Sequence, residues 1–198
     1  MSLRQQLVTA PVRYPVTIPE ARSQLQLDSQ DHDPRLGGLI AAATEHVETY
    51  TGRALITRTY HAFLNGWPLS NRGNVERFIR LARAPLQSVA FVKTYDDSDV
   101  PTTFDPSNYF VDTADPVGRV VLRRFAVWPV SLALRVANCI EIQWTCGYGD
   151  NPADTPEAIR LAIRMMIGIF NEQRGDETDA PDTPPAAKAL LAPYLVLH

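Results

Sequence analysis

The sequence predicts an α+β fold: a small helical bundle, with helices near 19–27, 33–51 and 155–174, and an inserted antiparallel β-sheet or small barrel at about 54–146. Three observations predict it. On both sides of the insertion, apolar residues recur at three- and four-residue steps, the spacing of one buried helical face. Inside the insertion, short segments rich in Val, Ile, Thr, Tyr and Phe alternate with turn clusters. A C-terminal tail then follows the last helix.

The first two helices carry recognisable start and stop signals. Thr17 and Glu20 have the spacing of a capping box, in which each side chain satisfies the backbone of the other residue. Asp33 followed by proline is typical of an N-cap and a first helical position. The apolar period after it ends at Gly52, where a left-handed residue is favoured. We therefore expect a short helix and then a longer one.

The insertion contains six segments with strand composition, at 55–64, 77–81, 86–95, 109–112, 119–123 and 140–146. Turn clusters such as Asp96–Asp99 separate them. Connections this short favour antiparallel pairing, because parallel pairing needs a long crossover. We expect a meandering antiparallel sheet or small barrel of about six strands.

The last helix, which we expect to be capped by Thr155, is apolar over well over half of its circumference. Such a helix is buried against more than one neighbour. We expect one neighbour to be the helix that begins at Asp33, and another to be a second copy of the protein. The residues predicted for that subunit interface are Ile159, Ile163, Met166 and Phe170.

The chain divides into three parts by composition. Residues 1–175 form a single domain that includes the insertion, and 176–185 is an acidic, proline-rich linker. Residues 186–198 are apolar and must fold back on their own core or dock onto something else, since a free segment would expose an unusual apolar patch. The residues predicted to dock are Leu190, Leu191, Tyr194, Leu195, Val196 and Leu197.

Composition limits the classes of function. A chain of 198 residues with 45% apolar residues is an ordinary globular protein with a real core. A formal charge of −3 argues against extensive coating of nucleic acid. No stretch approaches the length of a membrane span, and the N-terminal residues lack the apolar block of a signal peptide. We expect the chain to stay in the cell where it is made.

The two cysteines, Cys139 and Cys146, lie in one predicted strand at an odd separation, which places them on opposite faces. Bridged Cα atoms lie within about 7 Å of each other, so a disulfide cannot form in that conformation. Without a nearby histidine cluster, the two residues do not form a zinc site. We expect reduced structural thiols.

The stretch Gly147-Tyr148-Gly149, between a strand and a helix, outlines a phosphate-binding loop. A P-loop needs a lysine, whereas here two carboxylates, Asp150 and Asp154, follow and would repel a phosphate. We interpret the glycines as a sharp exit from the last strand. The alternative of a small ligand-binding or enzymatic α+β domain stays open on the geometry of this loop alone.

Other candidate groups also favour structural roles. The histidines have no metal-ligand spacing, the serines have no nucleophile-elbow context, and Asp96–Asp99 lacks the glycine and glutamate of an EF-hand. Strand alternation places Arg77 and Arg83 on one face and Arg80 on the other, which argues against a continuous nucleic-acid track. We predict no catalytic, cofactor-binding or metal-binding residue, and no enzyme.

The order of the motifs resembles a known family. The stretches LIAAATEHVETYTGRALITRTY, RLARAPLQSVAFVKTYDDSDV, SNYFVDTADPVGRVVL, CGYGD and TPEAIRLAIRMMIGIFNEQRG occur in this order. Together they resemble the head–tail connector, or head-completion adaptor, proteins of tailed bacteriophages and gene transfer agents. The resemblance covers roughly 15–175, and its most specific pieces are E-x-Y-T-G-R-A-L and G-Y-G-D…P-E-A-I.

The resemblance implies a structural role without a cofactor or a membrane. It implies a ring of about twelve copies that joins the portal protein to the tail and lets DNA pass without sequence-specific binding. The implied partners are the portal protein, a tail-completion or stopper protein and further copies of this chain. The implied location is the head–tail junction of a virion or phage-like particle, assembled in the bacterial cytoplasm.

Two further points follow from the resemblance. Such adaptors commonly bind the portal through their C-terminal region. In this chain that region resembles the family in its general character more than in its individual residues. A tail-completion or stopper protein of the same assembly is the alternative within this class.

Overall fold

The computed structural model describes residues 4–69, 73–129, 134–172 and 182–196, with only the backbone described for Arg4 and His32. Leu197 and residues 176–181 of the predicted linker lie outside the described residues. The predicted α+β class is confirmed, since helices and antiparallel sheets both form. The chain makes two compact units: a sheet unit (1–10 and 57–147) and a helical unit (11–56 and 148–198).

The helical unit holds four α-helices within its described residues: α1 (Ile18–Gln24), α2 (Asp33–Thr51), α3 (Glu157–Glu172) and α4 (Pro185–Leu191). Short 3₁₀ turns occupy Gln30–His32, Pro152–Asp154 and Ala192–Tyr194. The bounds of the first three helices differ from the predicted ones by no more than about two residues, except that α1 ends at Gln24 and not near 27. The fourth lies in the apolar C-terminal segment, where two prolines precede a run of strong helix formers.

The predicted capping box of α1 is present, whereas Asp33 has helical φ and ψ and is the first residue of α2, not its predicted N-cap. The backbone N–H of Thr17 donates to Oε2 of Glu20 at 2.8 Å, and the two residues form the predicted capping box. Arg22 donates to both carboxylate oxygens of Asp33, at 2.7 and 2.6 Å, which links α1 to the start of α2. Gly52, with φ of 71°, ends α2 in the left-handed conformation that favours glycine.

We expect Thr17→Ala to destabilise the protein by about 1 kcal/mol, because the substitution removes the side chain that caps α1. Urea unfolding followed by far-UV circular dichroism measures this loss. Ser23→Ala, an exposed position in the same helix, is the control and should change the stability little. Equal stabilities of the two variants would contradict the capping role.

The core of the helical unit lies between α2, α3 and α4. Its fully buried side chains come from all three helices and from the segments that flank them; they include Val16, Ile40, Val47, Leu55, Ile159, Ile163, Met166, Ile167 and Leu191. Thr155, the predicted cap of α3, instead donates its hydroxyl to the carbonyl oxygen of Leu55 at 3.3 Å. The backbone N–H of Leu55 donates to Oε1 of Glu48 at 3.0 Å, so hydrogen bonds at Leu55 accompany the packing of the apolar core.

The sheet unit holds eight strands within its described residues, all paired antiparallel: β1 (Arg4–Thr9), β2 (Arg58–Leu64), β3 (Phe78–Arg80), β4 (Leu86–Tyr95), β5 (Pro101–Thr103), β6 (Tyr109–Asp112), β7 (Arg119–Leu122) and β8 (Ile140–Cys146). They form a five-stranded sheet in the order β1-β2-β8-β4-β5 and a three-stranded sheet in the order β3-β7-β6. The expected meander is therefore wrong in its order, because β8 pairs between β2 and β4.

Burial explains why β8 is central. Ile140, Ile142 and Trp144 have no exposed surface, and the Trp144 ring stacks on Tyr60 of β2 at 6.0 Å between centroids. Cys139 and Cys146 are both buried and are not joined in a disulfide, in agreement with the prediction. In the same unit, the ring of Trp67 stacks on the ring of Trp128, with 4.5 Å between the ring centroids.

Candidate interaction surfaces

The glycine loop that resembled a phosphate site has structural reasons for its glycines. In the sheet unit, Gly147 has φ of 130° and donates its N–H to the carbonyl of Pro85 at 2.9 Å. In the helical unit, a Cβ on Gly149 would lie 2.2 Å from Oδ2 of Asp154. That carboxylate accepts the N–H of Asn151 at 2.8 Å, so it fills the space beside the glycine.

In the acidic turn Asp96–Asp99, the carboxylates of Asp96 and Asp99 bond to other groups of the sheet unit. Oδ1 of Asp96 accepts the N–H of Ser98 at 3.0 Å and of Val100 at 2.9 Å, while Asp99 pairs with Arg135. In the part of the chain that the structure describes, no group of three His, Cys, Asp or Glu residues is placed to hold a metal ion. Over the same residues, no helix combines the length and apolarity needed to cross a membrane.

A polar cluster around Glu141 ties four neighbouring strands together. Its carboxylate accepts the hydroxyl of Tyr95 at 2.6 Å and lies 3.3 Å from Nδ1 of His61. The hydrogen bond to Glu141 raises the pKa of the Tyr95 hydroxyl. Nε2 of His61 lies 2.8 Å from Oε1 of Gln6, so the cluster reaches from β4 through β8 and β2 to β1. These groups bond to one another and connect four strands of the sheet.

The C-terminal segment predicted to dock onto a portal folds back on the helical unit. Leu191 has no exposed surface and Leu190 packs against the same core. The backbone is fixed as well, since Arg53 donates to the carbonyl of Tyr194 at 2.6 Å and the N–H of Val196 donates to Thr51 at 3.0 Å.

Among the described docking candidates, Leu195 has the largest exposed fraction, at 36%. Leu191 has no surface left with which to bind a partner, and Leu190, Tyr194 and Val196 are partly buried. The docking role of the segment stays a prediction. Among the described residues of the segment, Leu195 is the candidate for that role.

The residues predicted for a subunit interface lie mostly inside the molecule. Ile159, Ile163 and Met166 have no exposed surface in the helical unit and serve its core. Side chains without accessible surface cannot contact a neighbouring subunit, which corrects this part of the assignment. Phe170 is half-buried and lies edge-on to His46 at 6.1 Å, so the prediction remains for Phe170 only.

The two units differ in charge, which the sequence alone did not reveal. The sheet unit holds 11 Lys and Arg against 8 Asp and Glu, a formal charge of +3. The helical unit holds 8 against 14, a formal charge of −6. The overall charge of −3 therefore hides a basic unit and an acidic unit.

The outer face of the three-stranded sheet concentrates arginine and aromatic side chains. Strand register places Phe78, Val121 and Phe110 in one row, and Arg80, Arg119 and Asp112 in the next. Side chains of alternate residues, among them Ile79 and Val120, point to the buried side. We call the six residues of these two rows, with Arg123 two residues beyond Val121, the arginine–phenylalanine face. Sequence reasoning missed it because it needs the register of β3, β7 and β6.

Part of the chain matches a known family. Residues 15–99 match the family of phage gp6-like head-tail connector proteins. This segment holds α1, α2 and strands β2 to β4. The resemblance stated from the sequence is confirmed over these residues. No curated protein sequence matches the chain significantly.

Solved structures share the fold over nearly the whole chain. A chain from the neck of an empty gene transfer agent (GTA) particle, computed with C6 symmetry, has a TM-score of 0.80 and 21% identity, covering 98% of this chain and 96% of its own. A chain from the virion of a native GTA particle has a TM-score of 0.78 and 22% identity, covering 98% and 96%. A chain from a native GTA neck, computed with C12 symmetry, has the same TM-score and identity over 100% and 97%.

Proposed function

We propose that this protein, whose residues 15–99 match the head-tail connector family, is a structural head–tail adaptor of a tailed phage or gene transfer agent particle. In this role it forms a ring that joins the portal to the tail and leaves a passage for DNA. The protein acts by holding its neighbours in place, and its proposed location is the head–tail junction.

One observation carries the proposal: the whole chain, including both units, has the fold of chains from the necks of GTA particles. The coverage of 96–97% of those chains means that the correspondence is between complete architectures. The C6 and C12 symmetries belong to those particles, and they support a ring of about twelve copies here.

The polar groups of the chain support a structural role for a physical reason. The clusters that most resembled ligand sites, around Asp154, Asp96 and Glu141, are hydrogen-bonded within the protein. Buried or clustered polar groups that satisfy one another's hydrogen bonds stabilise a fold.

The experiment that tests the function removes the gene from cells that produce the particles. We expect DNA-filled heads without tails, and tailed particles again when the wild-type gene is supplied. Normal numbers of tailed particles without the gene would contradict the proposal. Crosslinking of the assembled protein to portal or to tail components separates an adaptor from a stopper of the same junction.

We further expect Leu195→Asp to reduce the number of tailed particles by about tenfold, because loss of an apolar interface anchor costs more than 1 kcal/mol. Leu195 is more than one third exposed, so the folded unit should tolerate the change. Val12→Asp, at a position that is 94% exposed in the same unit, is the matched control. Equal particle numbers for the two variants would remove the docking role from Leu195.

A further inference from the structure

We propose that the arginine–phenylalanine face of the sheet unit docks on the helical unit of a second copy of this chain. The inference rests on the proposed ring, and it names the surface that holds neighbouring subunits together. The face binds the acidic helical unit of that second copy. Each copy therefore contacts one neighbour through its basic face and another neighbour through its helical unit.

The face has the composition of a protein interface. Phe110 is 44% exposed although it is a large apolar side chain, and Phe78 and Val121 beside it are only partly buried. Aromatic residues and arginine are enriched at interfaces, where an apolar centre is surrounded by a polar rim. Arg80 and Arg119 lie in the row beside the apolar row, and Arg123 follows the end of β7.

The positive charge of the face is only partly neutralised within the chain. Arg119 pairs with Asp112 at 2.8 Å and with Asp115 at 3.2 Å, and the hydrogen bond from Arg119 lowers the pKa of Asp112. Arg80 is exposed and lies over the Phe78 ring at 5.2 Å, and it has no carboxylate partner among the described residues. Arg123 is exposed as well. The face can therefore accept an acidic partner.

Charge complementarity identifies that partner as another copy. The sheet unit is formally +3 and the helical unit −6, so the two attract each other between molecules. The helical unit exposes carboxylates at Asp28, Asp31 and Glu45. A contact between two different surfaces is heterologous, and a repeated heterologous contact closes into a ring when the rotation allows it.

Other occupants fit less well. Two arginine–phenylalanine faces would place like charges opposite each other, which disfavours a symmetric pair. Duplex DNA offers phosphates to the arginines but no apolar surface to the row of Phe78, Val121 and Phe110. A second copy satisfies both the charge and the apolar centre.

The test places a photo-crosslinking phenylalanine analogue at position 110 in particles assembled by the producing cells. We expect a crosslinked dimer of this protein, with the analogue joined to a peptide of the helical unit. The same analogue at Val136, which is 95% exposed in the sheet unit, is the control and should give little dimer.

Each other outcome overturns the inference. A dimer joined through two sheet-unit peptides would show a symmetric contact, and a product with portal, tail protein or DNA would show a different occupant. No product at all would show that Phe110 stays free in the particle. If wild-type particles do not contain this protein, the proposed function fails instead, and the two failures are thus distinguishable.

Charge-reversal variants provide an independent test of the proposed interface. Arg80→Glu should lower the dimer yield from position 110 by about tenfold, because it places a carboxylate opposite an acidic surface. Arg13→Glu makes the same charge change at an exposed position of the helical unit and should leave the yield unchanged or higher. An unchanged yield with Arg80→Glu, or an equal fall with Arg13→Glu, would overturn the assignment.

Discussion

Deletion of residues 185–198 is expected to unfold the helical unit. The deletion removes α4, which buries Ala187 and Leu191 completely against the core that α2 and α3 share. Truncating a fully buried leucine to alanine costs about 2–5 kcal/mol, and the whole segment contributes more than one such side chain. Since domains are stable by about 5–15 kcal/mol, a loss of this size removes most of the stability of the unit.

The measurement separates the two units by their spectra. All three tryptophans, Trp67, Trp128 and Trp144, lie in the sheet unit, so tryptophan fluorescence reports that unit, while far-UV circular dichroism follows the helices. We expect the deletion to lower the helical signal, and Leu191→Ala to reduce the unfolding free energy by about 2–5 kcal/mol. Leu195→Ala, at a partly exposed position in the same segment, should cost less than 1 kcal/mol.

A truncated protein with unchanged helical signal and unfolding midpoint would contradict this result. It would show that α4 is an independent docking element, as the sequence alone allowed. The distinction matters for any assembly experiment, because particle defects caused by an unfolded subunit say nothing about what the segment binds.

The helices were predictable because their signals are local. A capping box at Thr17 and Glu20, an acidic start at Asp33 and a glycine end at Gly52 all act within one or two turns, and the structure keeps each of them. The apolar period of α3 likewise predicted burial. It also predicted α2 as a neighbour, which the structure confirms, but three side chains assigned to a second subunit, Ile159, Ile163 and Met166, lie in the core of the same unit.

The strands show the limit of local patterns. Strand β1 has almost no buried side chain and β5 is three exposed residues, so neither carries the alternation by which a strand is recognised. The place of β8 between β2 and β4 depends on contacts between residues far apart in the chain. The arginine–phenylalanine face depends on the same long-range register, since its residues come from three separate strands.

Gly118→Ala is the substitution in the sheet unit for which we expect the largest effect. A Cβ at this position would lie 2.1 Å from Cβ of Leu86 and within 2.8 Å of two further atoms of that side chain. Atoms this close cannot be separated by a change of rotamer, because the Leu86 Cβ is fixed by the backbone of β4. The backbone of one strand must therefore move, and overpacking of this kind costs about 1–3 kcal/mol, occasionally more.

Tryptophan fluorescence during urea unfolding measures the effect, and Gly66→Ala is the control, since a Cβ there would meet no atom within 4 Å. A double-mutant cycle identifies the cause. Leu86→Ala keeps the Cβ and should leave most of the loss in place, whereas Leu86→Gly removes the clash, so that Gly118→Ala costs less in its presence than in the wild type. If Gly118→Ala and Gly66→Ala have equal stability, the two backbones can separate at little cost and the close approach of β4 to the start of β7 is not a constraint on the fold.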